Sequence, residues 1–253
     1  MKLTDEQLMR YSRNIFLPEI DVSGQEKLLG AKVMVVGLGG LGSPVASYLA
    51  AAGIGELIIS DFDVVEISNL QRQLIFSSKN IGEKKADAAK ARILDINPDI
   101  EVHSISSSIS EKNLRELINR ADIVADCTDN LETRLAINDV CYQERKALVS
   151  AAAIKMEGQL MVIDPSNNIN PCYRCLYDDG TDLGESCSES GVLGPLVGVL
   201  GSLQALEVIK ILLNIGSSSA GKLITIDGRH LEWLKLNISK NPNCGTCKNS
   251  ELN

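Results

Sequence analysis

Histidine is scarce in this chain: its 253 residues hold only two, His103 and His230, and neither lies in a recognisable catalytic motif. Positive charge is in deficit. A formal net charge of -8 excludes the dense basic surface that nonspecific nucleic-acid binding needs, and leaves room only for local basic clusters. The opening Met1-Lys-Leu-Thr-Asp-Glu-Gln7 lacks the apolar run of a secretory signal. The most apolar stretch, Val192 to Ile215, is interrupted at helical spacing by Gln204, Glu207 and Lys210, which argues against a membrane span. It is expected to form a buried or subunit-facing helix, with Gly194, Gly198 and Gly201 permitting close backbone approach. No internal repeat is present. The lack of a targeting segment, together with seven cysteines, points to a reducing cytoplasm in which thiolates hold metal instead of forming disulfides.

What is present is an alternation of strand and helix patterns. A hydrophobic content of 44% can fill the core of one large domain or of two halves of one. Lys32–Val36 reads as a strand running into glycines; Ser43 can cap the helix that follows, Pro44 suits its first turn and Gly53 its end. Glu56–Ser60 predicts a second strand, Lys84–Ile96 a helix, Ile100–Ser106 a strand and Glu111–Arg120 a helix. Ala121–Asp129 predicts a fourth strand with a polar end. This rhythm implies an α/β, Rossmann-like, doubly wound and mostly parallel sheet. After residue 150 come further strands, some antiparallel: Ala147–Ile154, Gln159–Ile163, Leu223–Ile226 and Trp233–Ile238. The acidic, Gly/Ser-rich stretch between Leu176 and Gly191 is long enough for a functional loop. One domain over 1–253 is expected, its halves meeting near residue 150.

Gly37-Leu-Gly39-Gly40-Leu-Gly42 lies between a strand and a helix. Glycines there let backbone amides approach a phosphate at the positive end of the helix dipole. Asp61 stands where an acidic residue would hold ribose hydroxyls. On these residues alone, NAD or another nucleotide would serve. The segment Asp61-Phe-Asp63-Val-Val-Glu-Ile-Ser68-Asn69-Leu70-Gln71-Arg72-Gln73 goes further, because an ordinary dinucleotide domain has no reason to pack Asn, Gln and Arg so tightly after its second strand. Arg13, Arg72, Lys84 and Lys85 could neutralise a triphosphate, or form a solvated basic face. Asp129 and Asn130 end the fourth strand, where a carboxylate can hold Mg²⁺ and where both residue types also serve as turn or cap residues.

Cys172-x-x-Cys175 and Cys244-x-x-Cys247 together offer four thiolates for a closed tetrahedral Zn²⁺ site, clamping the tail to the middle of the domain. Either pair alone would also suit redox chemistry. Cys187 lies unpaired by spacing in the acidic loop; Cys127 and Cys141 fall on a strand and a helix and are expected in the core.

Arg10-Tyr-Ser-Arg13, Gly37–Gly42, Ser68-Asn-Leu-Gln-Arg-Gln73, Asp126-Cys-Thr-Asp-Asn130, Cys172-Tyr-Arg-Cys175 and Gly201-Ser-Leu-Gln-Ala-Leu-Glu207, in this order and nearly end to end, resemble the ThiF/MoeB/HesA family. These are ubiquitin-activating-enzyme-like proteins that adenylate small sulfur carriers. The resemblance implies ATP, Mg²⁺, a zinc site on the same four cysteines, and a ubiquitin-like protein substrate ending in Gly-Gly. It implies a single adenylating domain, with nucleotide binding over 1–150 and carrier and zinc binding over 151–253. Gly37, Gly39, Gly40, Gly42, Asp61, Asp63, Ser68, Asn69, Leu70, Gln71 and Asn130 are expected around the nucleotide. Arg72, Lys85 and Asp129 join them with catalytic roles, and Arg13 is expected to reach the other subunit's site in a homodimer. A cysteine at the Cys187 position can attack the acyl-adenylate or take part in sulfur transfer, and sulfur would come from a separate donor. Alternatives are a noncatalytic zinc-stabilised interaction protein and an NAD-dependent oxidoreductase. Features of both the molybdopterin and the thiamine branches occur: Ala151–Gly158 resembles the former, Arg10–Arg13 and the Cys187 loop the latter.

Overall fold

The computed structural model describes residues 2–177 and 190–248. Its strands are β1 (Lys32–Val36), β2 (Glu56–Ser60), β3 (Glu101–Ile105), β4 (Ile123–Asp126), β5 (Ala147–Ile154), β6 (Glu157–Ile163), β7 (Lys222–Asp227) and β8 (Glu232–Asn237). They form one sheet in the order β3-β2-β1-β4-β5-β6-β7-β8. Pairing is parallel from β3 through β5 and antiparallel from β5 through β8. The expected doubly wound sheet with an antiparallel extension is therefore present. The helices are α1 (Asp5–Arg10), α2 (Ser12–Ile15), α3 (Asp21–Gly30), α4 (Gly42–Ala52), α5 (Lys85–Ile96), α6 (Glu111–Arg120), α7 (Leu131–Gln143) and α8 (Gly194–Leu213).

Helices cover both faces, so the inner parallel strands β1, β2 and β4 are buried along nearly their whole length. The twofold alternation of side chains sorts them between two layers. Val33, Val35, Leu57 and Ile59 pack with α4, α5 and α8 residues such as Leu49, Ile93 and Leu200. Met34, Val36, Ile58 and Val124 pack with Leu114 and Ile118 of α6 and Ile137 and Val140 of α7. The chain leaves β1 towards β2 and β3 on one side and returns to β4 on the other. That reversal opens a crevice at the strands' carboxyl ends.

Among the described residues α8 is the one helix long and apolar enough to cross a membrane, and half of its apolar window is buried inside the fold. Gln204 on its inner face donates to the carbonyls of Asp126 at 2.8 Å and Val149 at 3.2 Å, stitching the helix to β4 and β5. Gly201 is required for the close approach: a Cβ there would lie 2.5 Å from the Leu41 carbonyl oxygen. At Gly198 a Cβ would meet nothing within 4 Å, so this glycine makes no close approach within the chain.

Two local readings are corrected. Ser43 does not cap α4, which starts at Gly42 after an N-cap Leu41 that makes no side-chain cap bond. The Ser43 hydroxyl turns back to the Leu38 carbonyl at 3.4 Å instead. The fourth strand stops at Asp126, because the Asp126 carboxylate accepts the Thr128 N–H at 3.0 Å and the Thr128 hydroxyl at 2.7 Å. That side-chain turn ends the pairing and delivers residues 127–130 to the crevice as a loop.

Candidate active site

A cleft of about 1450 Å³ opens at the carboxyl ends of β1, β2 and β4, and it gathers Gly37, Gly39, Gly40, Asp61, Asp63, Asn69, Arg72, Lys85, Asp129 and Asn130 along its walls. The loop after β1 can be built only from glycine at its two ends. Gly37 has φ +86, and a Cβ on Gly42 would fall 1.9 Å from the Gly37 oxygen. Asp61 organises the same loop: its Oδ2 accepts the Leu38 N–H at 2.8 Å and its Oδ1 the Asp63 N–H at 2.9 Å. Each carboxylate oxygen keeps a further lone pair for a hydroxyl.

After β2, the turn at 67–69 is closed by Asn69, whose Oδ1 accepts the Glu66 N–H at 3.0 Å. The Arg72 guanidinium donates to the Ser68 carbonyl at 3.1 Å, which folds it back across the turn. Lys85 opens α5 with its side chain only 7% exposed, and its Nζ lies 2.9 Å from Asp63 Oδ2. Asn130 also caps α7, accepting the Thr133 N–H at 2.9 Å, while Asp129 stands exposed beside it.

The sequence reading missed Gln73. It is 3% exposed, lines the cleft, and its Oε1 is a buried acceptor with no partner. Such an atom costs about 1–3 kcal/mol while unpaired, so the site fits a ligand that satisfies this amide in either orientation. Its only sequence signal is its place at the end of the 68–73 motif.

Other expected residues fall outside the cleft wall. Gly42 serves the loop's geometry, Ser68 offers its carbonyl to Arg72, Leu70 packs against the core, and the Gln71 carbonyl lies beneath Gly194 of α8. Arg13 is exposed on α2, 5.8 Å from the Phe16 ring centroid, and this chain does not bring it to its own cleft. Cys187 lies outside the described residues.

The four cysteines converge, with all Sγ atoms within 4.8 Å of one another. Cys172 and Cys244 are 3.5 Å apart and Cys175 and Cys247 3.3 Å, close to the roughly 3.8 Å edge that a metal–sulfur distance of about 2.3 Å gives a tetrahedron. Hydrogen bonding from Cys172 holds Cys175 down to about 5, while burial pushes Cys247 up to about 12. Four crowded sulfurs of this kind suit a thiophilic dication. A second group, Glu56, Glu101 and His103, is already neutralised, with Lys32 at 2.8 Å and Arg120 at 3.1 Å from Glu56. Cys127 and Cys141 are core residues as expected, their thiols pushed up by burial.

A glycine loop at the sheet's switch point, basic and amide side chains around it, an acidic strand end and a four-cysteine cluster define a nucleotide-dependent α/β enzyme. The ThiF family matches residues 11–246, and the chain belongs to that family. It is 42% identical to the sulfur carrier protein ThiS adenylyltransferase of Escherichia coli, over 98% of each chain. It is 41% identical to the molybdopterin-synthase adenylyltransferase of Salmonella typhimurium, over 97% of this chain and 98% of that one. The crystal structure of Escherichia coli MccB with ATP superposes with a TM-score of 0.81 at 28% identity, covering 94% of this chain and 73% of that one.

Proposed function

We propose that the protein joins the carboxyl-terminal carboxylate of a ubiquitin-like sulfur carrier ending in Gly-Gly to AMP, using ATP and releasing pyrophosphate. The observation that carries this reading is the meeting of Asn69, Arg72, Lys85 and Asp129 with the glycine loop in one cleft. Relatives named as ThiS and molybdopterin-synthase adenylyltransferases, at 42% and 41% identity, support the substrate class. The cleft also continues past the nucleotide residues to Gln159, Thr225 and Asp227 on β6 and β7, which leaves room for an extended tail.

A carrier carboxylate is ionised near neutral pH and needs no general base. Its oxygen attacks the α-phosphorus, the bond from that phosphorus to the bridging oxygen breaks, and pyrophosphate leaves with the electron pair. The work required is in-line alignment and charge neutralisation. Gly39 and Gly40 bring the backbone against the phosphates, Asp61 takes ribose hydroxyls, and Asn69, Arg72 and Lys85 brace phosphate oxygens. Asp129 is the residue that would hold Mg²⁺, and that ion would supply positive charge beside the leaving pyrophosphate. Arg13 completes the site of the other subunit in a homodimer. Cys172, Cys175, Cys244 and Cys247 are the residues that would hold Zn²⁺ as a structural clamp.

Cys187 is the candidate to attack the acyl carbon of the adenylate, forming a thioester as AMP leaves, or to take part in the later sulfur transfer, for which sulfur comes from a separate donor protein. The two identities, 42% and 41%, do not choose between thiamine-type and molybdopterin-type carriers. Carrier-dependent ATP–pyrophosphate exchange tests the reading directly.

A further inference from the structure

Asp139 of α7 is a carboxylate that no step above uses, and it holds one residue from each cysteine turn. Between Cys172 and Cys175, the Arg174 Nε donates to Asp139 Oδ1 at 2.8 Å and to Oδ2 at 2.9 Å. Between Cys244 and Cys247, the Thr246 hydroxyl donates to the same Oδ1 at 2.5 Å. The preceding helix residue joins them. The Asn138 Nδ2 donates to Asp139 Oδ1 at 3.0 Å, and the Asn138 Oδ1 accepts the Tyr173 N–H at 2.8 Å. Asn138 is fully buried, so this pair of side chains on α7 forms a fixed platform beneath both turns.

Each cysteine pair is shaped by its own turn. The Cys175 N–H returns to the Cys172 carbonyl at 3.0 Å, and the Cys244 N–H to the Asn241 carbonyl at 3.1 Å. What a local turn cannot set is its register against the other turn, since Cys172 and Cys244 lie 72 positions apart in the chain. Closing so long a segment costs conformational entropy. The Asn241 N–H, 3.4 Å from the Cys175 Sγ, links the turns directly. Asp139 adds a fixed point on a third segment, accepting from both at once.

Groups that hydrogen-bond behind a metal's ligands orient them, and losing such a group typically weakens metal binding by about 10–100-fold. We propose that Asp139 is a positioning residue for the cysteine cluster: by accepting from Arg174 and Thr246 together it sets the two turns in register, so that the four sulfurs converge before metal binds and the metal leaves slowly. The consequence for metal rests on the zinc reading above; the docking of the tail turn on α7 does not.

The test measures zinc release from the full, zinc-loaded chain to a chromogenic chelator in excess. It compares wild type, Asp139→Ala, Thr246→Val, the double variant and Arg115→Ala. The last removes the ion pair of α6 with Glu144, at the carboxyl end of α7, and controls for a general loosening of that helix. Asp139→Ala should release zinc at least about tenfold faster than wild type, and Thr246→Val at least about threefold faster. The double variant should exceed Asp139→Ala by no more than about twofold, because both changes delete the same bond.

Release at the wild-type rate in Asp139→Ala overturns the proposal, as does an equal acceleration in Arg115→Ala or fully multiplicative effects in the double variant. Should Asp139→Ala fail to fold or to load zinc, Thr246→Val decides, since it leaves Asp139 paired with Arg174; release at the wild-type rate there overturns the proposal. A wild type that holds no zinc refutes the zinc reading alone. Amide hydrogen exchange in peptides spanning 241–248 of the metal-free chain then decides the role of Asp139: a rise of at least about fivefold in Asp139→Ala is expected, and an unaltered rate overturns it.

Discussion

The Lys85 ammonium lies 2.9 Å from Asp63 Oδ2, with the lysine side chain 7% exposed and the aspartate 53%. A buried cation is thus held by a carboxylate that solvent still reaches. On the proposed reading, Asp63 aims Lys85 before nucleotide arrives, and a triphosphate then takes over as its counter-charge. Asp63→Asn should destabilise the nucleotide-free protein by about 1–2 kcal/mol, less than a fully buried pair because solvent screens one partner. Added ATP should raise the melting temperature of this variant more than that of wild type, since the phosphates restore the lost partner. A smaller ATP-induced rise would contradict this role.

Arg72 and Asp129 line the same cleft. Losing one contact that forms fully only in the transition state costs about 3–4 kcal/mol. Arg72→Ala and Asp129→Ala should therefore each slow adenylation by about a hundredfold or more, with circular dichroism and melting curves close to wild type. Near-normal turnover in either folded variant removes that residue from the mechanism.

The glycine loop gives a prediction of a different kind. A Cβ at Gly42 would lie 1.9 Å from the Gly37 carbonyl oxygen, so Gly42→Ala must displace the loop. The expected cost is about 1–3 kcal/mol, typical of overpacking, with ATP affinity falling more than stability does. Equilibrium urea unfolding and nucleotide titration on the same preparation separate the two effects. Unchanged ATP affinity would mean that the loop does not cradle the phosphates.

The cysteine cluster should bind one zinc per chain. Cys247→Ser should lower that stoichiometry several-fold in elemental analysis and reduce the melting temperature, because a closed thiolate site contributes folding free energy outright. Wild type treated with chelator and reductant should change in the same direction. A variant that keeps both its metal and its melting temperature would exclude Cys247 as a ligand.

Much of this arrangement was legible in the sequence, for identifiable reasons. Strands buried on both faces appear as continuous apolar runs, so Lys32–Val36 and Glu56–Ser60 were visible with their true bounds. Asn69, Arg72 and Lys85 were visible because a short turn and the start of one helix carry all three to the cleft. The cysteines were visible because each pair is local. Asp139, Thr246 and Gln204 were not, since their partners are set by packing between distant segments. An aspartate on a helix that anchors two distant turns is indistinguishable in sequence from a solvated one. Spacing alone does not tell which small residues on a long apolar helix meet a neighbour within the chain: Gly201 does and Gly198 does not.

The most direct test of the central claim is ATP–pyrophosphate exchange by the purified, zinc-loaded protein with Mg²⁺ and either a thiamine-type or a molybdopterin-type carrier. Exchange is expected only when a carrier with an intact Gly-Gly terminus is present, and it should vanish when those two residues are removed. One active carrier would name the branch, and two would make this a shared activating enzyme. No exchange with either carrier, in protein shown to be folded and to contain its metal, would contradict sulfur-carrier adenylation.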